Sequence, residues 1–330
     1  MKDLFEIKDN IFSAPYKSIL KCGIPSEESI EVSISIPVYN SFNYFVRALN
    51  SAIHQTYKEK YSIIVVDNNF EEDLNVVNKY EQFIIGLNCD KILYYKNEKN
   101  MGPIYNFNQA AYLSNSEYFV MCHEDDELSE DCLEKLIEFK NKHSVSNELI
   151  LTSNTIIDEK SQIKNSIFNK KSPLCKGNIR KLHLWDFFLS SPSNGCGCLI
   201  NRRAFVEIGG YNPDYRPSAD YAMLSLYVYK YGGFLICNEN LYRYRITNQN
   251  ASNKVFYTCI ERDEFYRNCM KRKIRIPNFI LDRIIKANKA CHTEFAEKIW
   301  LGNILHPAPL KEKIIMEIIS KLNNLRHIIG

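Results

Sequence analysis

Tyr118-Phe119-Val120-Met121-Cys122-His123-Glu124-Asp125-Asp126-Glu127-Leu128 is the stretch on which the fold is read. An apolar run, readable as a buried strand, stops at four consecutive acids, Glu124 to Glu127. Apolar residues resume at Leu128 and recur at helical spacing through Leu133, Leu136, Ile137 and Phe139. Carboxylates at the carboxyl end of a strand sit where open α/β sheets bind ligands. Clustered hard oxygen donors there suit a divalent cation that holds a diphosphate. The plain alternative is a solvated acidic loop whose charges favour the start of the next helix.

Upstream of this stretch, strands and helices alternate. In Glu31 to Val38, valine and isoleucine alternate with serine, and Pro37, which has no N–H, is expected to end the ladder. Tyr39-Asn40-Ser41 is a turn, and Phe42, Phe45, Leu49 and Ile53 mark one helix face. Tyr61 to Val66 is apolar on both faces, as in a parallel sheet, and ends in Asp67-Asn68-Asn69. A helix over roughly 71–86, a strand from Lys91 to Tyr95, a turn from Asn97 to Gly102 and a helix opening at Pro103 follow. This order predicts a doubly wound, mostly parallel α/β sheet. Asn40, Asp67, Asn100 and Asp125 each lie just past a strand end, so four polar side chains are expected to converge on one sheet edge. Each alone also suits a turn or a cap.

After Leu151 the pattern loosens. Residues 158–180 are polar and suggest an excursion or mobile loop. Gly195 to Ile200 reads as a strand with Cys196 and Cys198 on one face, and buried free thiols are the expected reading of that pair. Asp220 to Tyr231 reads as a helix ended by Gly232-Gly233; Phe234 to Cys237 and Leu241 to Ile246 read as two short strands. Helical spacing dominates from Val255 onward. The expected organisation is an extension over 1–30, an α/β domain over 31–250 and a mainly helical region over 251–330.

The chain has 330 residues and a net charge of +3, so nothing global calls for nucleic acid. Residues 251–330 hold 15 Lys and Arg against 8 Asp and Glu, a local +7 on a body of −4. Met1 to Asn10 has no apolar core of a signal peptide, no stretch has the length of a membrane span, and the eleven cysteines are scattered. A reducing cytoplasm with free thiols is expected.

Ser35-Ile-Pro-Val-Tyr-Asn40, Gln55-Thr-Tyr57, Val65-Val-Asp67, Asn100-Met-Gly102 with Asn108, and the acidic strand end resemble glycosyltransferase family 2 in order and spacing. Gly209-Gly-Tyr211, Ser218-Ala-Asp-Tyr221 and Tyr242-Arg-Tyr-Arg245 are similar to its acceptor-side segments, and the likeness covers roughly 31–250. It implies a GT-A fold, with the nucleotide-sugar half over 31–128 and the acceptor half over 129–250. Pro37, Tyr39 and Asn40 would border the nucleoside, and Asp67 would bond the base. Asn100 and Gly102 would shape the ribose and diphosphate side, with Arg245 near the diphosphate. Asp125 falls on the second Asp of the family's DxD motif, which holds Mn²⁺ or Mg²⁺, and Asp126 follows it. Asp220 falls on the Asp of the "ED" pair, the implied general base of an inverting transfer.

The chain departs from the family pattern in three places. His123 replaces the first Asp of DxD, Ala219 replaces the Glu of "ED", and Thr247 stands where a His often follows the "YR" segment. The processive QxxRW signature is absent, which favours one sugar per encounter. Several side chains have two readings. Asp220 suits catalysis or the start of a helix. His123 suits a metal or phosphate, or a backbone contact. Arg243 and Arg245 suit phosphate, or acids such as Glu239. Tyr211, Tyr215 and Tyr221 suit sugar faces or the core. The basic C-terminal region suits an anionic inner membrane leaflet, or packing on the catalytic domain.

The expected activity is non-processive transfer from a nucleoside-diphosphate sugar, a UDP-sugar first, to a glycan or lipid-linked acceptor in surface-glycan synthesis. A nucleotidyltransferase is the runner-up enzyme, although no Gly-rich phosphate loop follows the first strand. A non-catalytic nucleotide- or carbohydrate-binding protein is the alternative from another class.

Overall fold

The computed structural model describes residues 3–6, 12, 17–69, 74–164, 179–190, 195–247 and 252–329. Four parallel strands form its centre: β2 (Ile30–Val38), β3 (Tyr61–Asp67), β4 (Ile92–Asn97) and β5 (Ser116–Met121). Between them run α1 (Phe42–Ile53), α2 (Leu74–Leu87) and α3 (Pro103–Leu113), so the strand–helix alternation is as the hydrophobic periods predict. Within the extension, β1 (Ser18–Cys22) pairs antiparallel with β4 at the sheet edge.

β6 (Glu127–Leu128) follows the acidic loop, then α4 (Cys132–Lys142), β7 (Leu149–Ile157), β8 (Ile179–Leu182), α5 (Leu184–Leu189), β9 (Leu199–Asn201) and α6 (Arg202–Glu207). α7 (Ala219–Tyr231) leads into β10 (Gly233–Arg245). The sheet order is β1-β4-β3-β2-β5-β9-β7-β10-β6, with β8 also on β10. β9 pairs antiparallel with β5 and β7, whereas β7 and β10 run parallel.

Alternation along β5 explains the two-sided core. Phe119 and Met121 enter one apolar cluster with α5, α7 and the C-terminal helices, while Tyr118, Val120 and Cys122 enter the other with α1 and α4. The serines of β2 do not mark a solvated face. Ser33 bonds Ser114 and Ser116, and Ser35 Oγ donates to the Ala110 carbonyl at 3.0 Å beneath α3. Both are fully buried, and their hydroxyls are satisfied there.

Four sequence expectations change. Pro37 stays in the ladder, in register with Val66 of β3. On the β5 side, the last link is Cys122 N–H to the Ser35 carbonyl at 2.9 Å. Pro37, two residues on and facing the same neighbour, has no donor to offer, so the chain after Cys122 leaves the sheet there. Leu128 pairs with Tyr242 in β6 before α4 begins. The two short strands near 234–246 are one strand, β10, with register shifts between Ile236 and Asn240 and between Asn240 and Tyr242. Finally, Cys196 lies in a turn rather than a strand, because Gly195 and Gly197 take φ of 85° and 68°. Much of the polar excursion, 165–178, lies outside the described residues.

The C-terminal helices α8 (Ser252–Met270), α9 (Asn278–Trp300) and α10 (Leu310–Ile329) close on the sheet layer. Tyr266, Met270 and Leu281 belong to the α7 core cluster, and Arg267 Nε donates to the Phe188 carbonyl at 2.9 Å. Many of the region's cations are paired: Lys271 with Asp282, Arg272 with Asp3, Arg283 with Glu312, Lys289 with Glu264 and Lys313 with Glu294. Among the described residues no helix is long and apolar enough to cross a membrane.

Candidate active site

A cavity of about 620 Å³ opens at the carboxyl ends of β2–β5. Its lining includes Pro37 and Tyr39 from the end of β2, Asn68 after β3, Asn100 and Gly102 before α3, His123 and Asp125 from the acidic loop, and Asp220 from the first turn of α7. The volume suits a ligand of nucleotide-sugar size. Residues nearly a hundred apart in sequence meet here because parallel strands put all their carboxyl ends on one side.

The predicted residues divide between the cavity and its supports. Asn40 takes φ of 64°, turns the chain into α1 and is exposed outside the lining. Asp67 is fully buried behind it. Its Oδ2 accepts from Tyr94 Oη at 2.6 Å, and its Oδ1 accepts from Asn69 N and Nδ2 at 2.8 and 2.7 Å. Asn68 is the β3-end side chain at the cavity. A shift of one residue at a strand end exchanges the faces, so Asp67 braces the wall that Asn68 presents.

An asparagine web holds that wall, and residue-type patterns give no signal for it. Asn68 Nδ2 donates to Asn100 Oδ1 at 2.9 Å, and Asn97 Nδ2 donates to Asn68 Oδ1 and Asn106 Oδ1, both at 3.0 Å. Met101 N donates to Asn68 Oδ1 at 3.0 Å. Asn100 Oδ1 also accepts from Gly102 N at 2.8 Å, which fixes the entry to α3. Gly102 has φ of 78°, a conformation that favours glycine, and Pro103 opens the helix. A helix N-terminus thus borders the cavity, an arrangement favourable to phosphate.

The acidic loop separates its carboxylates. Asp125 lines the cavity. Glu124 also lines it, accepts from Tyr39 N at 2.8 Å, and has its pKa pushed well up by burial. Asp126 points inward: its Oδ1 accepts the Arg245 backbone N–H at 2.8 Å, and burial raises its pKa well above the usual carboxylate range. His123 stacks on Phe107, with centroids 5.0 Å apart, and burial lowers its pKa, which favours the neutral imidazole that binds metals.

Arg245 does not reach the cavity. Its side chain is fully buried, Nε donates to the Asp125 carbonyl at 2.8 Å, and Nη2 bonds Glu127 and Ser161. The guanidinium lies 4.9 Å from the Tyr44 ring centre. It fastens the acidic loop to β10 from beneath. Arg243 turns to the same Glu127, at 3.7 Å, while Glu239 is taken by Lys135 at 2.7 Å. Arg245→Met should therefore destabilise the fold by about 3–5 kcal/mol, because Glu127 loses its buried partner. Urea denaturation measures this; a wild-type midpoint would refute the assignment.

Tyr211, Tyr215 and Tyr221 are core residues. Tyr211 packs on Phe205 at 5.3 Å, and Tyr215 and Tyr221 pack on Tyr266 at 5.4 and 5.9 Å. Asp220 beside them reaches the cavity, and burial pushes its pKa up to about 6. A carboxylate with that pKa is ionised at neutral pH and basic enough to accept a proton in a transition state.

The family model described as "Glycosyl transferase family 2" matches residues 33–209, more than half of the chain. The chain belongs to glycosyltransferase family 2. An uncharacterized glycosyltransferase of Rickettsia typhi is 27% identical over 243 residues, which is 73% of this chain and 72% of that protein. One of Rickettsia felis is 32% identical over 58% of this chain, and the match spans only 30% of that longer protein. A putative colanic acid biosynthesis glycosyl transferase of Escherichia coli is 29% identical over 34% of this chain and 38% of its own length. The fold is that of the GT-A structures of S. aureus TarS: residues 1–349 with UDP superpose at a TM-score of 0.56 and 16% identity, over 91% of this chain and 80% of that one. The family match takes in the cavity wall from Pro37 to Asp125 and ends before Asp220.

Proposed function

We propose that this chain is a metal-dependent, inverting, non-processive glycosyltransferase. It moves a sugar from a nucleoside-diphosphate donor, UDP-linked, to a glycan or lipid-linked acceptor in surface-polysaccharide synthesis. The observation that carries the reading is that Asp125 and Asp220 line one cavity at the strand ends, with the N-terminus of α3 beside them. Asp220 accepts the proton of the acceptor hydroxyl as it attacks the anomeric carbon. Pro37, Tyr39 and Asn68 border the nucleoside, and Asn100 and Gly102 shape the diphosphate side.

The family commonly uses a divalent metal, and the donor set fits one. Asp125 offers a carboxylate to the cavity and His123 a neutral imidazole. Bound there, Mn²⁺ or Mg²⁺ would neutralise charge on the leaving diphosphate. UDP is favoured as the nucleotide because the S. aureus TarS structures with matching folds hold UDP and UDP-GlcNAc. The acceptor class is favoured by the colanic acid relative and by a poly(ribitol-phosphate) β-glucosyltransferase of Bacillus spizizenii, 28% identical over 34% of this chain. Cytoplasmic action at an anionic inner membrane face is part of the proposal, supported by the basic C-terminal region.

A thermal-shift panel of UDP, GDP, CDP and dTDP, each with Mn²⁺, Mg²⁺ or EDTA, tests the donor class. UDP with metal should raise the melting temperature, by about 2.7 kcal/mol of stabilisation at a hundredfold excess over Kd. No shift with any nucleotide would instead support a non-catalytic glycan-binding protein.

A further inference from the structure

At the cavity floor lies a second group of ligand atoms, which shares His123 with the cavity lining and reaches inward from it. A ring nitrogen of His123, a carboxylate oxygen of Asp126 and Sγ of Cys196 all lie within 4.8 Å of one another. Asp125 is in no such group of three among the described residues. Asp126 and Cys196 are buried, and His123 is held flat against Phe107.

Asp126 supplies an independent sign of a missing partner. Its Oδ1 is occupied by the Arg245 N–H, while the buried Oδ2 has no nitrogen or oxygen donor and the Cys196 thiol is the side-chain donor beside the carboxylate. His123 Nδ1 stands 3.8 Å away, beyond hydrogen-bond range. A buried carboxylate served by so weak a donor as a thiol is costly, and a cation between these groups would satisfy it. Cys196 is placed by a turn with little freedom. Gly197 N donates to the Met121 carbonyl at 2.9 Å, and a Cβ on Gly197 would approach Tyr242 Cβ to 2.8 Å. The thiol is thereby tied to the end of the strand from which His123 emerges.

We propose that His123, Asp126 and Cys196 form a binding site for a thiophilic divalent cation, Zn²⁺ first, distinct from a diphosphate-bound metal at Asp125. Thiolate and imidazole ligands select zinc-like ions over Mg²⁺ and Mn²⁺. One carboxylate and one thiolate neutralise a divalent ion, so the buried complex carries no net charge. As the S–metal bond forms, the thiol proton passes to solvent and nothing is oxidised. Three protein ligands leave a fourth position open. A cation in this site takes His123 away from the diphosphate metal proposed above and leaves Asp125 as that metal's protein ligand. The loss of the first family Asp at 123 and the presence of Cys196 become one feature.

The test uses the full chain stripped of metal, without nucleotide. Co²⁺ added alone should give, at one equivalent, a near-ultraviolet thiolate-to-cobalt band with visible tetrahedral bands, both removed by Zn²⁺. Cys196→Ser should abolish the thiolate band and Asp125→Ala should keep it. His123→Asn should weaken Zn²⁺ binding by more than the ~10–100-fold typical of an outer-shell partner. X-ray absorption on zinc-loaded wild-type protein needs no variant to fold, and should show one sulfur in the first shell. A zinc shell without sulfur, no thiolate band in folded protein, or a band that survives Cys196→Ser overturns the site. None of these outcomes depends on sugar transfer, which the nucleotide panel judges separately.

Discussion

Asp220→Asn should lower sugar transfer by about 10²–10⁴-fold, the usual contribution of a positioned general base. Nucleotide binding should be retained, because the donor-side wall is built from β2–β5 and the loop before α3. The same substitution should stabilise the fold near neutral pH. Burial holds the Asp220 carboxyl at about 6, above its ordinary value of 3.8. A carboxyl with a raised folded pKa favours the folded state below pH ~4, and that contribution disappears as pH rises through about 6. The ionised carboxylate is therefore a burden at pH 7, of at most about 3 kcal/mol, which the neutral amide removes. Lower activity with higher stability is the signature of a group kept for chemistry, since a residue that merely begins a helix would lose stability instead. The wild-type pH profile adds a third readout. The base must be ionised to work, so kcat/KM should rise with pH through about 6 and lose that limb in the variant. Unchanged transfer by Asp220→Asn would refute the assignment.

Asp125→Ala should lower transfer by about 10²–10³-fold, as expected when a group stabilising developing charge is removed. Its distinguishing effect is on binding. In wild-type protein, UDP should raise the melting temperature more with Mn²⁺ than with EDTA, and Asp125→Ala should erase that difference. A weak, metal-independent shift should remain from Asn68, Asn100 and the start of α3. A metal-dependent shift that survives Asp125→Ala would move the metal away from Asp125. A wild-type shift indifferent to metal would leave the diphosphate to the α3 N-terminus and the asparagines beside it.

The four parallel strands and the helices between them were legible in the sequence. Their signals are local: period-two or continuous apolar runs for strands, and i, i+3, i+4 recurrence for helices. That alternation, with the order of the short motifs, was enough for the GT-A fold and for the side of the sheet on which a site must lie. Asn100, Asp125 and Asp220 were found by position relative to strand ends and by the family pattern, and all three line the cavity.

Which way each neighbouring side chain faces was decided only by tertiary structure. Asp67 and Asn68 are adjacent polar residues at a strand end, and the burial of Asp67 against Tyr94 leaves Asn68 to face the cavity. Arg245 looks like a phosphate ligand in sequence because an arginine on a strand can face either side. The bend of the acidic loop over β10 encloses it with Glu127 and the Asp125 carbonyl. Cys196 and His123 share no local pattern. They meet because Gly197 ties its turn to Met121 at the end of β5, a contact between segments that have no common period. Local periodicity specified the elements and their order, and long-range packing specified which atoms face one another.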